Sequence, residues 1–127
     1  MIKDFLLINF TGKNDLIALR ANNNFFIKKF QINLRKNEKF VNNIFDFISK
    51  KGVNIDKKFS ILVNLGPGSF SGIRISIAVA KGIKIAKGAK IYGYKDSELS
   101  EFNLKNIELL IKKNLLEKEL IKPVYIS

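Results

Sequence analysis

The chain has 127 residues, 46% of them hydrophobic, and a mean hydropathy of +0.03, so it is globular rather than disordered and long enough for one modest core. It has no Cys and no His, which excludes a disulfide framework, a thiolate metal site and the commonest general base. The formal net charge is +12 and comes almost wholly from lysine, the arginines being Arg20, Arg35 and Arg74.

Arginine is the preferred residue for bidentate phosphate recognition. Its scarcity makes the charge read first as a solvated surface and second as proximity to RNA. No apolar run approaches the ~20 residues of a membrane helix. Met1 to Phe5 carries an acid early and lacks a small-residue cleavage site, so no signal peptide and a cytoplasmic location are expected.

Phe5 to Phe10 reads as a first strand and Leu16 to Arg20 as a second, joined by the turn Thr11-Gly12-Lys13-Asn14-Asp15. Phe25 to Leu34 alternates as a third strand, giving an antiparallel meander with Asn-rich turns. A helix follows from about Glu38 to Lys51, with Asn37 as N-cap and Gly52 just past its end. Phe40, Val41, Ile44, Phe45 and Ile48 form its apolar face, and Phe47 falls off that face.

Ile61 to Leu65 is a buried strand, followed by the turn Gly66-Pro67-Gly68 and a helix from about Ser69 to Lys87. Ser69 or Ser71 is placed to cap that helix. Its N-terminus offers free N–H groups and a partial positive charge, which suit an anion. The spacing is neither the P-loop nor the dinucleotide pattern, so a tight strand-to-helix turn outweighs phosphate binding on spacing alone. The helix is apolar almost all round, and burial on more than one side is expected. Small residues recur along it in two stripes, Gly72-Ser76-Ala80 and Ala78-Gly82-Ala86, either of which lets another helix come close. Lys90 to Tyr94 is a strand parallel to the central one across this helix. A last helix is expected over Leu104 to Lys118, before Pro123 and an extended end.

Gly66-Pro67-Gly68-Ser69-Phe70-Ser71-Gly72-Ile73-Arg74-Ile75, followed by Ala80-Lys81-Gly82-Ile83, resembles the GPGSFTGLR…AKGLA stretch of the TsaB (YeaZ) family. Those proteins are the non-catalytic partners in the bacterial machinery that makes threonylcarbamoyladenosine (t6A) in tRNA. Ser71 stands for the usual Thr, and Ile for Leu or Val. The resemblance implies an α/β fold, the first lobe of an actin/Hsp70-like (ASKHA, RNase H-like) protein, with a five-stranded mixed sheet built from the meander and a βαβ unit. It covers about residues 4 to 99, and Pro123-Val124-Tyr125-Ile126 is similar to the PVYLR-type tail of the family. The second lobe is nearly absent, so the implied organisation is an N-terminal lobe over 1–99 and a remnant over 100–127, a minimal form.

The function implied is that of a scaffold subunit, not an enzyme, which binds and stabilises the TsaD-type transferase through its two first-lobe helices. Interface candidates are Phe40, Ile44, Phe47, Ile73, Ser76, Ile77, Ala80, Lys81 and Ile83. Candidates for a nucleotide or phosphate loop are Gly66, Pro67, Gly68, Ser69, Phe70, Ser71, Gly72 and Arg74. No catalytic residue and no metal is implied, and ATP or ADP only at the partner interface. A TsaE-type ATPase, tRNA held indirectly and a homodimer of the isolated chain complete the implied partners, with no membrane. The family's IDTS-like strand end is here Ile8-Asn9-Phe10-Thr11. Its acid, which would help hold a metal–phosphate complex, is lost. The competing readings are an ASKHA-type nucleotide-binding protein, with Gly66–Gly72 as its phosphate loop and Arg74 as an anion clamp, and a basic RNA-binding module.

Overall fold

The computed structural model describes residues 3–30, 39–113, 117–118 and 125–126, with the backbone alone at 39–40, 117–118 and 125–126. Strands β1 (Phe5–Asn9), β2 (Leu16–Ala21) and β3 (Asn24–Lys29) form the meander, and α1 (Lys39–Lys50) follows. Then come β4 (Ser60–Asn64), the two-residue β5 (Gly68–Ser69), α2 (Phe70–Lys87), β6 (Lys90–Tyr94) and a 3-10 turn over Asp96–Glu98. Helix α3 (Leu104–Lys112) and two short strands, β7 (Glu117–Lys118) and β8 (Tyr125–Ile126), complete the described elements.

The main sheet has the order β3-β2-β1-β4-β6-β7. The five expected strands are present, and β7 adds a two-residue antiparallel edge beside Tyr92 and Gly93. β1, β4 and β6 run parallel, and β2 and β3 are antiparallel to their neighbours, so the sheet is mixed. β1 and β4 are buried along their whole length, as their continuous apolar runs require.

Alternate residues of each strand feed two cores. Leu6, Ile8, Ile17, Leu19, Ile61 and Val63 point to the face covered by α1 and α2. Phe5, Leu7, Ala18, Leu62 and Tyr94 point to the other, covered by α3 through Ile107 and Leu110. This period of two is the strand geometry itself, and the three layers follow from it.

Three expectations change. The last helix ends at Lys112, not Lys118, and the chain returns to the sheet as β7. Its C-cap Lys113 leaves the helical path, and Leu115 lies outside the described residues, as do Gln31 to Glu38 and hence the Asn37 cap; β3 itself ends at Lys29, short of the expected Leu34. On α1 the inward residues are Ile44, Phe47 and Ile48, whereas Val41 and Phe45 are 37% and 42% exposed. Phe47 is thus no spare aromatic: it packs on the core, with Lys28 Nζ 6.0 Å and Lys51 Nζ 5.6 Å from its ring centre. Nor is α2 buried on several sides. It turns one side to the sheet and leaves Ile85 87% exposed.

Candidate functional site: the glycine loop and the outer face of two helices

The turn after β4 is clamped from both sides. Ser69 N–H donates to the Thr11 carbonyl at 2.8 Å, tying it to the turn after β1. Leu65 N–H donates to the Tyr94 carbonyl and Asp96 N–H to the Gly66 carbonyl, both at 2.8 Å, tying it to the end of β6. Gly68 is required by this closeness: a Cβ there would lie 2.6 Å from Thr11 Cβ and 2.9 Å from the Thr11 carbonyl oxygen. Gly66 has φ +97, a conformation that glycine alone adopts readily. Ser69, not Ser71, is the N-cap of α2, its Oγ accepting from Gly72 N–H at 3.4 Å. The backbone of β5 also pairs with β8, Gly68 opposite Tyr125 and Ser69 opposite Ile126. The rest of the tail, Pro123, Val124 and Ser127, lies outside the described residues.

Side-chain amides brace the same end of the sheet. Asn64 Nδ2 donates to Asn9 Oδ1 at 2.6 Å and to Asp96 Oδ1 at 3.1 Å, while Asn64 Oδ1 accepts from Gly66 N–H at 2.9 Å. Asn9 Nδ2 in turn reaches the Asn14 and Lys13 carbonyls at 3.1 and 3.3 Å. Asn9 thus stands where an acid is usual in the resembling family, and it holds the turn rather than a charge. Sequence reading marked Asn9 only as a departure and missed Asn64, whose partners lie 32 and 55 residues away. Burial pushes the Tyr94 phenol well above the usual tyrosine range. The nearby Asp96 carboxylate acts the same way, and the Asn64 side chain opposes them.

A hollow of about 260 Å³ opens beside this turn, lined by Thr11, Lys13, Pro67, Gly68, Ser69 and Asp96. Its charges are one lysine and one carboxylate. Of the phosphate-loop candidates, Pro67, Gly68 and Ser69 line it. Gly66 and Gly72 are buried, while Phe70 and Ser71 are exposed. Arg74 does not line it; its guanidinium carbon sits 5.7 Å from the Phe70 ring centre on the outer side of α2. Among the described residues no group of His, Cys, Asp or Glu is placed to hold a metal ion.

The second feature is the outer face of α1 and α2. The two small-residue stripes of α2 are not equivalent. Gly72, Ser76 and Ala80 face the sheet, Ser76 Oγ donating to the Gly72 carbonyl at 2.8 Å, and Ala78, Gly82 and Ala86 face outward. Four interface candidates must therefore be corrected. Ile44, Ile73, Ser76 and Ala80 are buried in the chain's own core, while Ile83, also buried, reaches the floor of the groove between the helices. The spacing of those four is right for a contact face, but it is the face turned to β1 and β4. Ile77 and Phe47 are half-buried, Lys81 is exposed, and the Phe40 side chain lies outside the described residues. On the described parts of α1 and α2 the exposed large apolar residues are Val41, Phe45, Phe70 and Ile85. Between the helices a groove of about 360 Å³ is lined by Phe45, Ile48, Val53, Ile55, Gly82, Ile83 and Ala86, among others.

No protein-family model matches this chain, and no curated protein matches it. Solved structures do. YeaZ from Pseudomonas aeruginosa superposes with a TM-score of 0.63 at 22% identity, over 76% of this chain and 46% of that one. An uncharacterised Pseudomonas aeruginosa protein, described as similar to the peptidase YEAZ, superposes with a TM-score of 0.64 at 21% identity, over 76% of this chain and 44% of its own. The chain spans a little under half the length of either relative. Among its described residues no helix is long and apolar enough to cross a membrane. What the loop motif implies and what the superpositions find agree: over three-quarters of its length this chain has a YeaZ-like fold, of which it covers a part.

Proposed function

We propose that this chain is a non-catalytic scaffold subunit of the t6A modification machinery, cytoplasmic, and a partner that stabilises a TsaD-type transferase through α1 and α2. The observation that carries the reading is the outer face of those helices, where exposed Phe45 lines an apolar groove and Val41 and Ile85 are also exposed. Scattered exposed apolar residues are ordinary, but an exposed aromatic set in an apolar groove marks a contact surface. A standard interface buries roughly 800 Å² per partner, within reach of two helix faces. The glycine loop supports the same role from behind: it is rigidly clamped and fixes where α2 begins.

In this reading the loop hollow does no chemistry. Its carboxylate, Asp96, is engaged by Asn64, and the chain has no His to act as base. ATP or ADP, a TsaE-type ATPase and tRNA belong to the assembled complex and are held mainly by the other subunits.

The test is co-purification with the TsaD-type protein of the same cell. A complex at micromolar concentration is expected, lost in Phe45→Asp and Ile85→Asp, both at exposed positions. Two folded proteins that do not associate at that concentration would overturn the reading.

A further inference from the structure

The two edges of the main sheet differ. β7 closes one with two residues beside β6. β3 forms the other with six, Asn24–Lys29, and among the described residues no strand lies on its outer side. An open edge is a template for another strand.

Pairing with β2 decides which backbone groups of β3 stay open. The two strands are joined by a two-residue turn, Asn22 and Asn23, whose φ values of 53 and 64 suit the commonest hairpin turn of that length. Phe30 N–H donates to the Asp15 carbonyl at 2.8 Å, and the same register sets Lys28 opposite Ile17, Phe26 opposite Leu19 and Asn24 opposite Ala21. In an antiparallel ladder, hydrogen-bonded pairs alternate with non-bonded ones. Asn24, Phe26 and Lys28 therefore turn their N–H and C=O groups toward β2, and Phe25, Ile27 and Lys29 turn theirs outward.

The side chains alternate as well. Phe26 packs on the core covered by α1 and α2, and Lys28 shares its side, with Nζ 5.8 Å from the Phe30 ring centre. Phe25 packs on the core covered by α3. Ile27, which is 40% exposed, and Lys29 share the side of Phe25.

We infer that β3 is a pairing edge for a second copy of this chain, antiparallel and centred on Ile27, so that two sheets join into one. A two-fold axis at Ile27 sets that residue opposite itself. It sets Lys29 opposite Phe25 of the second copy and Lys28 opposite Phe26. The outward residues then meet only outward residues and exchange about six hydrogen bonds, two for each bonded pair. Each lysine meets an aromatic ring, a favourable cross-strand contact. No lysine faces a lysine.

The neighbouring registers do worse. Centred on Lys28, the pairing sets that lysine against itself, and like charges directly opposite are destabilising. Centred on Phe26, it sets Lys29 opposite Asn23, a turn residue with φ 64, and the bonds of Lys29 are lost. Lysines on an edge ordinarily repel an incoming strand. Here their positions exclude the wrong registers and leave one. A foreign strand would have to bring this pattern of rings, whereas a second copy carries it already. The inference does not rest on the functional reading above, since β3 contributes no residue to the groove between α1 and α2.

The experiment is sedimentation of the full chain from about 1 to about 500 μM, a range that spans weak pairing, with amide exchange measured at both ends. A concentration-dependent dimer is expected. Exchange at Phe25, Ile27 and Lys29 should slow as the dimer forms, while Phe26 and Lys28 stay protected throughout. Ile27→Pro removes an outward N–H and no bond to β2, so it should fold and weaken the dimer at least about tenfold. Ile27→Lys keeps the strand and sets like charges on the axis. It should weaken the dimer too, with part of the loss recovered as salt screens them. The chain has no Cys, so Ile27→Cys reads the register directly. Opposed Cα atoms in a bonded pair lie ~5.5 Å apart, within reach of a disulfide. Ile27→Cys should cross-link on mild oxidation, and Lys29→Cys should not.

A monomer at about 500 μM, a dimer that Ile27→Pro and Ile27→Lys both leave intact, or exchange that slows equally at Phe26 and Ile27 would overturn the inference. So would cross-linking of Lys29→Cys in place of Ile27→Cys, or a dimer that Phe45→Asp dissociates. No transferase enters these measurements, so failed co-purification bears on the functional reading alone and a failed edge dimer on this inference alone.

Discussion

Asn64 Nδ2 donates to Asn9 Oδ1 at 2.6 Å, joining the C-terminal ends of two parallel strands 55 residues apart. Both residues are buried, and each amide makes further bonds to the turn it stands beside. The pair fixes the spacing between the turn after β1 and the glycine loop, on which the start of α2 depends.

Asn64→Asp should therefore be worse than Asn64→Leu. The carboxylate would face Asn9 Oδ1 and Asp96 Oδ1, acceptors against acceptors, in place of two donated hydrogen bonds. A buried polar group left unpaired costs about 1–3 kcal/mol, and more when charged. Urea unfolding at neutral pH should show both losses, with part of the Asp loss recovered in acid as the carboxyl takes up a proton. Equal stability of the two variants at neutral pH would contradict this account of the network.

Gly68→Ala and Gly82→Ala should move stability in opposite directions. At Gly68 the new methyl would overlap Thr11 backbone atoms 2.9 Å away, and such overpacking costs about 1–3 kcal/mol. At Gly82 it meets nothing, and the gain in helix propensity is about 1 kcal/mol. Thermal unfolding of the two variants beside the wild type measures both signs.

On α1, Ile44→Ala should cost about 2–5 kcal/mol because Ile44 is fully buried among strand residues and its removal leaves a cavity. Phe45→Ala, one residue on, should change stability by less than about 1 kcal/mol. Chemical denaturation of the two variants locates the inward face directly, and a larger loss at Phe45 would reverse it.

Alkaline pH should weaken the fold through Tyr94. Its folded pKa is raised above the ordinary tyrosine value, mainly by burial, so the folded chain keeps a proton that the unfolded chain gives up. The contribution is fully present below pH ~10 and is lost as pH rises from there toward the higher folded value, by at most about 1.4 kcal/mol per unit. Tyr94→Phe should lose this part of the alkaline fall, while lysine titration continues in both proteins. Parallel stability–pH curves above pH ~10 would show that Tyr94 is not responsible.

Most element positions were legible in the sequence because their causes are local. β6 falls at Lys90–Tyr94 as expected, and α2 runs to Lys87 before the left-handed Gly88. The α3 boundary was not legible: Leu115 continues the helical apolar period, but the antiparallel pairing of Glu117–Lys118 with β6 draws the chain off first. Of the interface candidates, Ile44, Ile73, Ser76 and Ala80 are buried in the chain's own core, because helical spacing alone does not say which neighbour a face meets.

Alternation, helical period and glycine–proline chemistry act over a few residues, so the sequence by itself determined the order of strands and helices and the place of the stiff loop. It did not determine which side of α2 meets the sheet. That helix is apolar almost all round and carries two stripes of small residues, so its apolar pattern alone sets the rotation weakly, although Arg74, Lys81 and Lys84 mark an outward side. Packing against β1, β4 and β6 broke the tie by burying Gly72, Ser76 and Ala80 and leaving Ala78, Gly82 and Ala86 outside. The meeting of Asn9 with Asn64 was likewise a tertiary outcome, because the parallel register of β1 and β4 sets it and neither residue's neighbours in sequence do.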